Sequence, residues 1–307
     1  MRRGPFYVNP ARTAKPLMVS VSGSFRTQGL KIANHRNGRL EPLMRDRKNK
    51  HVGSRNRPWE KRELRRERDR DGPALIYGWH AVQAALENPK RKIRRILVTP
   101  NGARRLEELG IKPKVTPEIV RPNEIDRRLS PDAVHQGVLA EADPLPSPEL
   151  EDISPDGLVL VLDQITDPHN FGAITRSAAA FAVSAIVTTA RHSPEATGVL
   201  AKSASGGLEY VPVVLVQNLA RSLTELKSRG FLLVGLDEDG AIDLSAAPLR
   251  APLALVMGAE GKGLRQLTRE TCDLLARLEM PGKIKSLNVS NAAALALYVA
   301  SRAVGRS

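Results

Sequence analysis

Five apolar runs of strand length set the plan of the second half of the chain: Leu158–Leu162 (LVLVL), Ala185–Thr189, Val211–Val216, Phe231–Leu236 and Leu253–Met257 (LALVM). Runs this short and this unbroken are strands buried on both faces, and helical patterns lie between them. Residues 158–307 are therefore expected to form a parallel sheet covered on both sides, with no repeat of fixed period. A smaller pattern begins at Ala74: helix over Gly78–Glu87, strand over Arg94–Val98, helix over Ala103–Leu109, short strand over Lys114–Thr116, helix over Asn123–Leu129, strand over Gln136–Ala142. That alternation predicts a small α/β domain over 72–142. Between the two lies 143–157 (DPLPSPELEDISPDG), whose four prolines and five acids read as a stiff linker.

The remaining residues, 1–71, lack sustained hydrophobic periodicity and carry most of the charge. They hold 20 Lys and Arg against 7 Asp and Glu, a net of +13, out of +14 for the 307-residue chain. Such a segment buries too little apolar surface to offset the entropy of ordering, so a disordered basic arm is expected, with Trp59–Arg70 (WEKRELRRERDR) able to turn helical on a partner. A localised excess of cations points to a polyanion, most simply nucleic acid. Residues 1–40 contain eight Lys and Arg and no acid, the composition of an organelle transit peptide, and Met44 is an alternative start. The expected location is the cytoplasm, with the mitochondrial matrix as the alternative. A single cysteine, Cys272, excludes a disulfide framework and a cysteine-built metal site, and no run of 18 apolar residues exists to span a membrane.

Three polar constellations follow buried strands or precede helices. The first runs from Asp163 through Asp167, Pro168, His169, Asn170 and Gly172 to Arg176, where ligands of open α/β sheets bind. Asn170 is expected to cap the helix, which puts Arg176 under two turns into it; a capped turn with a surface arginine is the plainer alternative. The second, Gly258-Ala-Glu260-Gly261-Lys262-Gly263-Leu264, is neither G-x-G-x-x-G nor a P-loop, because Gly263 follows the lysine. Its glycines permit close backbone approach to an adenosine-containing ligand, or simply a tight turn. The third, Met280-Pro281-Gly282-Lys283-Ile284-Lys285-Ser286-Leu287-Asn288-Val289-Ser290-Asn291, leads into AAALALYVA, apolar nearly all round, as a helix buried on several sides or against a second subunit would be. H-E-x-x-H, G-x-S-x-G and acid-rich calcium loops are absent, and the six histidines show no metal-ligand spacing.

In this order the three segments closely resemble the three motifs of the SpoU (TrmH-type) RNA ribose 2′-O-methyltransferases: DPHNFGAITRSA, LVMGAEGKGL and MPGKIKSLNVSNAAA. Ala74–Glu141, opening with IYGWHAVQAAL and closing with HQGVLAEA, resembles the family's small substrate-binding domain of ribosomal L30e type. The resemblance covers everything except the arm and the linker. It implies an α/β catalytic domain with a deep trefoil knot, S-adenosyl-L-methionine as methyl donor without a metal, and a homodimer through the knot helices. It places cofactor contacts at Gly258, Leu278 and Leu287, helped by Gly263 and Ser286. Arg176 matches the catalytic arginine, proposed in the family to act as base. Since a guanidinium pKa exceeds roughly 12, a charged, orienting Arg176 is the alternative. Asn170, Glu260, Asn288 and Ser290 match the residues that fix Arg176 and the ribose. Glu279 stands where relatives usually carry proline. The resemblance to the ribosomal branch implies a guanosine of large-subunit rRNA as substrate; a tRNA enzyme and a non-catalytic ribosome-assembly factor are the alternatives.

Overall fold

The computed structural model describes residues 72–191, 193–194 and 198–305. The basic arm expected over 1–71 lies outside the described residues.

The small domain is built on a four-stranded sheet, β1 (Ala74–Tyr77), β2 (Ile93–Val98), β3 (Glu118–Ile119) and β4 (Val138–Ala142), in the order β1-β4-β2-β3. Its helices are α1 (Trp79–Glu87), α2 (Pro100–Glu108) and α3 (Pro122–Asp126). The strand expected at Lys114–Thr116 forms instead at Glu118–Ile119, where the backbone pairs in parallel with Leu97 and Val98. Pairing to an established strand outweighs a weak three-residue propensity. Trp79 lies 4% exposed at the start of α1, its indole N–H donating to the carbonyl of Gln136 (3.1 Å) and its ring beneath the Arg105 guanidinium at 4.6 Å. That arrangement satisfies both the apolar and the polar part of the side chain.

The larger domain holds seven parallel strands in the order β7-β6-β5-β10-β8-β11-β9. They are β5 (Leu158–Asp163), β6 (Ala185–Thr189), β7 (Val213–Val216), β8 (Leu232–Leu236), β9 (Ile242–Asp243), β10 (Leu253–Gly258) and β11 (Leu274–Arg277). The helices are α4 (Pro168–Ala180), α5 (Gly198–Ala204), α6 (Gly207–Tyr210), α7 (Leu219–Ser228), α8 (Gln266–Thr271) and α9 (Val289–Ala303). Because side chains alternate along a strand, β5 feeds two cores. Leu158, Leu160 and Leu162 pack with Phe171, Ile174 and Ala178 of α4 and with Ala293, Ala296 and Leu297 of α9. Val159 and Val161 pack on the other face with Leu219, Leu223 and Leu226 of α7. All six residues of β5 are buried, and each large apolar side chain so buried contributes about 1.5–3 kcal/mol.

Segment 143–157 lies against this domain. Leu150 and Ile153 are buried in the α7-side core, and Arg229 donates to the carbonyls of Leu150 and Ile153, both at 2.6 Å. Chain order then positions the site. From β5 the chain moves outward through β6 to β7, crosses to β8, and returns to insert β10 beside β5. The carboxyl ends of β5 and β10 meet in register, Asp163 opposite Gly258, which is the switch point where such sheets bind ligands.

Candidate active site

The first constellation leaves β5 through Gln164, whose φ of 62° turns the chain away from the sheet. Asp167, and not Asn170, caps α4: its carboxylate accepts the Asn170 backbone N–H at 2.9 Å, with Pro168 in the first turn. Proline is pre-organised for the first helical position, so Pro168 places the cap one residue before it, at Asp167. Asn170 thus keeps its side chain for a longer-range contact.

That contact joins the first constellation to the third. Asn288 Nδ2 donates to Asn170 Oδ1 at 3.1 Å. Asn288 also caps α9, its Oδ1 accepting the Ser290 N–H at 2.9 Å and the Ser290 hydroxyl at 2.6 Å. Asn170, Asn288 and Ser290 form one chain of hydrogen bonds at the mouth of two helices, and Asn288 is exposed. Arg176, fewer than two turns along α4 from Asn170, is exposed on the same helix.

The second constellation is a turn that closes on itself. The Gly263 N–H donates to the Ala259 carbonyl at 2.9 Å. A Cβ on Gly258 would sit 2.1 Å from the Gly263 carbonyl, so only glycine lets the loop fold back onto the strand end. Glu260, Gly261, Lys262 and Gly263 face solvent while Leu264 is buried. The tight turn is therefore real, and it holds the backbone of Glu260–Gly263 outward at the switch point.

Beneath this turn lies Asp163, its side chain fully buried. Arg265 Nε donates to Oδ1 at 2.7 Å, and the Arg265 N–H and the Thr268 hydroxyl donate to Oδ2 at 3.3 and 2.8 Å. Asp163 pins the exit of the second constellation to the start of the first. The first constellation begins at Asp163, but the motif alone gives this residue no role. An acid ending a buried apolar strand is itself a signal, because such a charge must have partners.

The third constellation leaves β11 as an irregular loop. Leu278 is half-buried against the main core, Ser286 is exposed, and Ile284 and Leu287 present apolar surface, 76% and 38% exposed. Asp243 anchors the start of the loop, accepting the Glu279 N–H at 2.9 Å and the Ser245 N–H and hydroxyl. These donors hold the Asp243 carboxyl below its ordinary range. Glu279, in place of a proline, supplies one of them. Exposed backbone flanked by unpaired apolar side chains suits a ligand with an adenine face and a polar tail, so the residues present fit an adenosyl cofactor. Among the described residues no three His, Cys, Asp or Glu side chains gather to hold a metal ion.

The family profile described as SpoU rRNA Methylase matches residues 157–298, and that described as RNA 2′-O ribose methyltransferase substrate binding matches 75–148. The 23S rRNA (guanosine-2′-O-)-methyltransferase RlmB of Pseudomonas putida is 39% identical over 238 residues, 74% of this chain and 95% of that protein. The chain belongs to the SpoU methylase family. A relative from Bacillus subtilis, described as a putative TrmH family tRNA/rRNA methyltransferase, is 36% identical over 73% of this chain and 93% of its own length. The SpoU methyltransferase AviRb of Streptomyces viridochromogenes, solved with AdoMet, superposes with a TM-score of 0.64 at 27% identity, covering 78% of this chain and 92% of that one. In this SpoU chain the three motifs converge on the β5–β10 switch point. Hydrogen bonds link Asn170, Asn288 and Ser290, and the turn links Gly258 to Gly263. Arg176 is exposed on α4 and Glu260 in the turn, with Leu278, Ser286 and Leu287 in the third loop.

Proposed function

We propose that this chain transfers a methyl group from S-adenosyl-L-methionine to the ribose 2′-hydroxyl of a guanosine in large-subunit rRNA. The observation that carries the reading is the Asn170–Asn288–Ser290 hydrogen-bond chain, which ties the helix of Arg176 to the third motif. It is supported by relatives named for that reaction, 95% of whose length this chain covers.

A ribose hydroxyl is a poor nucleophile until its proton leaves. The cofactor, when bound, supplies a sulfonium methyl already activated toward oxygen. The chain's task is therefore to hold the ribose oxygen in line and to manage one proton. Arg176 is the residue on which transfer turns, as the base or, more economically for a guanidinium, as a permanent cation that orients the hydroxyl and a neighbouring phosphate. Asn170, Glu260, Asn288 and Ser290 fix Arg176 and the ribose. The backbone of Gly258, Leu278 and Leu287, with Gly263 and Ser286, holds the adenosyl group. The insertion of β10 and β11 between earlier strands supports a trefoil knot in this domain. Leu295 and Tyr298, large apolar side chains 50% and 55% exposed on the outer face of α9, support a homodimer through that helix. The 72–142 domain, of L30e type, positions the RNA, and residues 1–71 add affinity without base specificity. Removing them is expected to weaken RNA binding and flatten its dependence on salt.

The test is methyl transfer from labelled S-adenosylmethionine to unmodified large-subunit rRNA and, separately, to bulk tRNA, with Arg176→Ala alongside and the modified sites mapped. Label at one rRNA guanosine, lost in the variant, is the expected outcome. Label in tRNA alone overturns the substrate. No label in either, with cofactor binding intact, overturns catalysis in favour of an assembly role.

A further inference from the structure

Two consecutive glycines, Gly206 and Gly207, lie between the small domain and the helix of Arg176, and they face opposite ways. A Cβ on Gly206, whose φ is 91°, would meet the Ala84 Cβ at 2.7 Å and the His80 carbonyl at 3.1 Å, both on α1 of the small domain. A Cβ on Gly207 would meet the Thr175 carbonyl at 2.8 Å and the Arg176 Cα at 3.2 Å. The small domain and the backbone of Arg176 are thus separated by one thickness of main chain.

Two residues further, this segment is gripped from the small domain. Glu209 of α6 and Arg91, from the strap between α1 and β2, pair with their side chains only 4% and 5% exposed. Arg91 Nη2 donates to Glu209 Oε1 at 2.5 Å and Nε to both carboxylate oxygens at 3.1 Å. Asn88 Nδ2 donates to Oε2 at 2.8 Å, so the carboxylate is fully partnered, and Arg91 Nη1 donates to the Asp143 carbonyl at 2.9 Å. At the other end of the contact a Cβ on Gly198 would overlap the Tyr77 ring at 2.4 Å, and Lys202 lies 5.8 Å from that ring. The same α5–α6 segment buttresses α4 from behind, since Gly172 packs on Leu200 and Ser203.

We infer that Arg91, Asn88 and Glu209 form a latch that fixes the RNA-binding domain in register with Arg176, and that these three are positioning residues for the transfer reaction. A buried, directional ion pair across a domain boundary is a device for specifying one arrangement, because the paired charges lose their partners in every other. Without it, α1 and Arg176 have no fixed separation, and a guanosine held by the small domain meets the catalytic helix only part of the time. Productive encounters then fall, while the adenosyl site, built on Gly258, Leu278 and Leu287 within the larger domain, is untouched.

The activity arm of the test rests on the reading above; the distance arm does not. Nitroxides at Arg104→Cys in α2 and Arg221→Cys in α7 report the separation of the two domains in the full chain. The native Cys272, whose thiol burial and the neighbouring Asp273 push up to about 12, is changed to alanine in all labelled proteins so that only the introduced thiols report. Glu209→Gln and Arg91→Leu are expected to broaden the distance distribution. They are also expected to lower kcat/KM for unmodified rRNA by at least about tenfold, chiefly through KM, with S-adenosylmethionine affinity unchanged. Arg91→Glu combined with Glu209→Arg is expected to narrow the distribution again and recover part of kcat/KM. Asn88→Ala, which leaves the ion pair in place, serves as the milder variant should either single change fail to fold. An unchanged distance distribution in the single variants overturns the latch, whatever the activity. A broadened distribution with kcat/KM within twofold of wild type overturns the positioning role. Absence of methyl transfer by the wild type, with the distances responding as expected, removes the activity reading and leaves the latch standing.

Discussion

Two polar clusters flank the carboxyl end of β5, and they are built on opposite principles. Asp163 is a charge with no exposure, fixed by three donors from Arg265 and Thr268. Asn170, Asn288 and Ser290 are neutral, partly solvated, and tied together by one hydrogen bond between the asparagines and two from Ser290 to Asn288. A buried carboxylate has no alternative partners and so holds its neighbours rigidly. Amides and hydroxyls at the surface exchange partners with water at little cost, so they can release one another to take a ribose oxygen. The difference separates frame from working groups within one strand end: the frame fixes where the second motif starts, and the working groups stay available.

The sharpest way to break that division is Arg176→Ala. Its side chain is exposed, so the variant is expected to melt with the wild type while methyl transfer falls by roughly 10³-fold, about 4 kcal/mol at the transition state. Equal loss of stability and activity would place Arg176 in the frame. Asp163→Ala is the converse. Leaving Arg265 and Thr268 without their acceptor is expected to cost about 3 kcal/mol of folding stability. The cost is no larger because Arg265 remains 43% exposed and can hydrate. A urea titration checks it, and specific activity per folded molecule should change little by comparison.

The frame was the more legible half in sequence, and for a physical reason. Unbroken apolar runs of five or six residues, rich in Val, Leu and Ile, are the mark of strands buried on both faces, so β5, β6, β8 and β10 are placed by sequence within a residue or two. β9 and β11 were not foreseen. Both are short, and Leu274–Arg277 becomes a strand only because β8 and β9 offer edges to pair with. The order of strands, which brings Asp163 opposite Gly258, is a long-range fact that periodicity does not encode. At the site, the motif residues were identified through family resemblance and spacing. The pairing of Asn170 with Asn288 across 118 positions was outside the reach of local reasoning. Local chemistry also misled, since Asn170 and Asp167 are both good caps and only the position of Pro168 decides between them.

Because Asp167 does the capping, the two asparagines should separate experimentally. Asn288→Ala removes the cap of α9 as well as the link to Asn170, and is expected to lose about 1 kcal/mol of stability together with activity. Asn170→Ala removes only the link, so activity falls with the melting temperature within about a degree of wild type. Thermal melts beside initial-rate measurements decide it. Similar melting losses in both variants would mean that the link between the helices, and not the cap, carries the stability.

The smallest effect concerns the third loop, where frame and working groups meet at Asp243. Hydrogen bonds from the Ser245 side chain, the Ser245 N–H and the Glu279 N–H lower its pKa. The folded state therefore favours the carboxylate, and the stability this confers is fully present above the ordinary carboxylate range. It disappears as pH falls through that range and on through the lowered folded value. Asp243→Asn is expected to be less stable than wild type above about pH 5, with the gap closing on acidification. Measuring urea midpoints of both proteins across pH checks the sign; a gap that widened toward acid would mean that Asp243 is held protonated. Because Asp243 anchors Glu279 beside Leu278, the same variant should bind S-adenosylmethionine more weakly at neutral pH. Asp163→Ala, measured on its folded fraction, should not. That contrast tests whether the anchor at Asp243 serves the cofactor loop while the one at Asp163 serves the sheet.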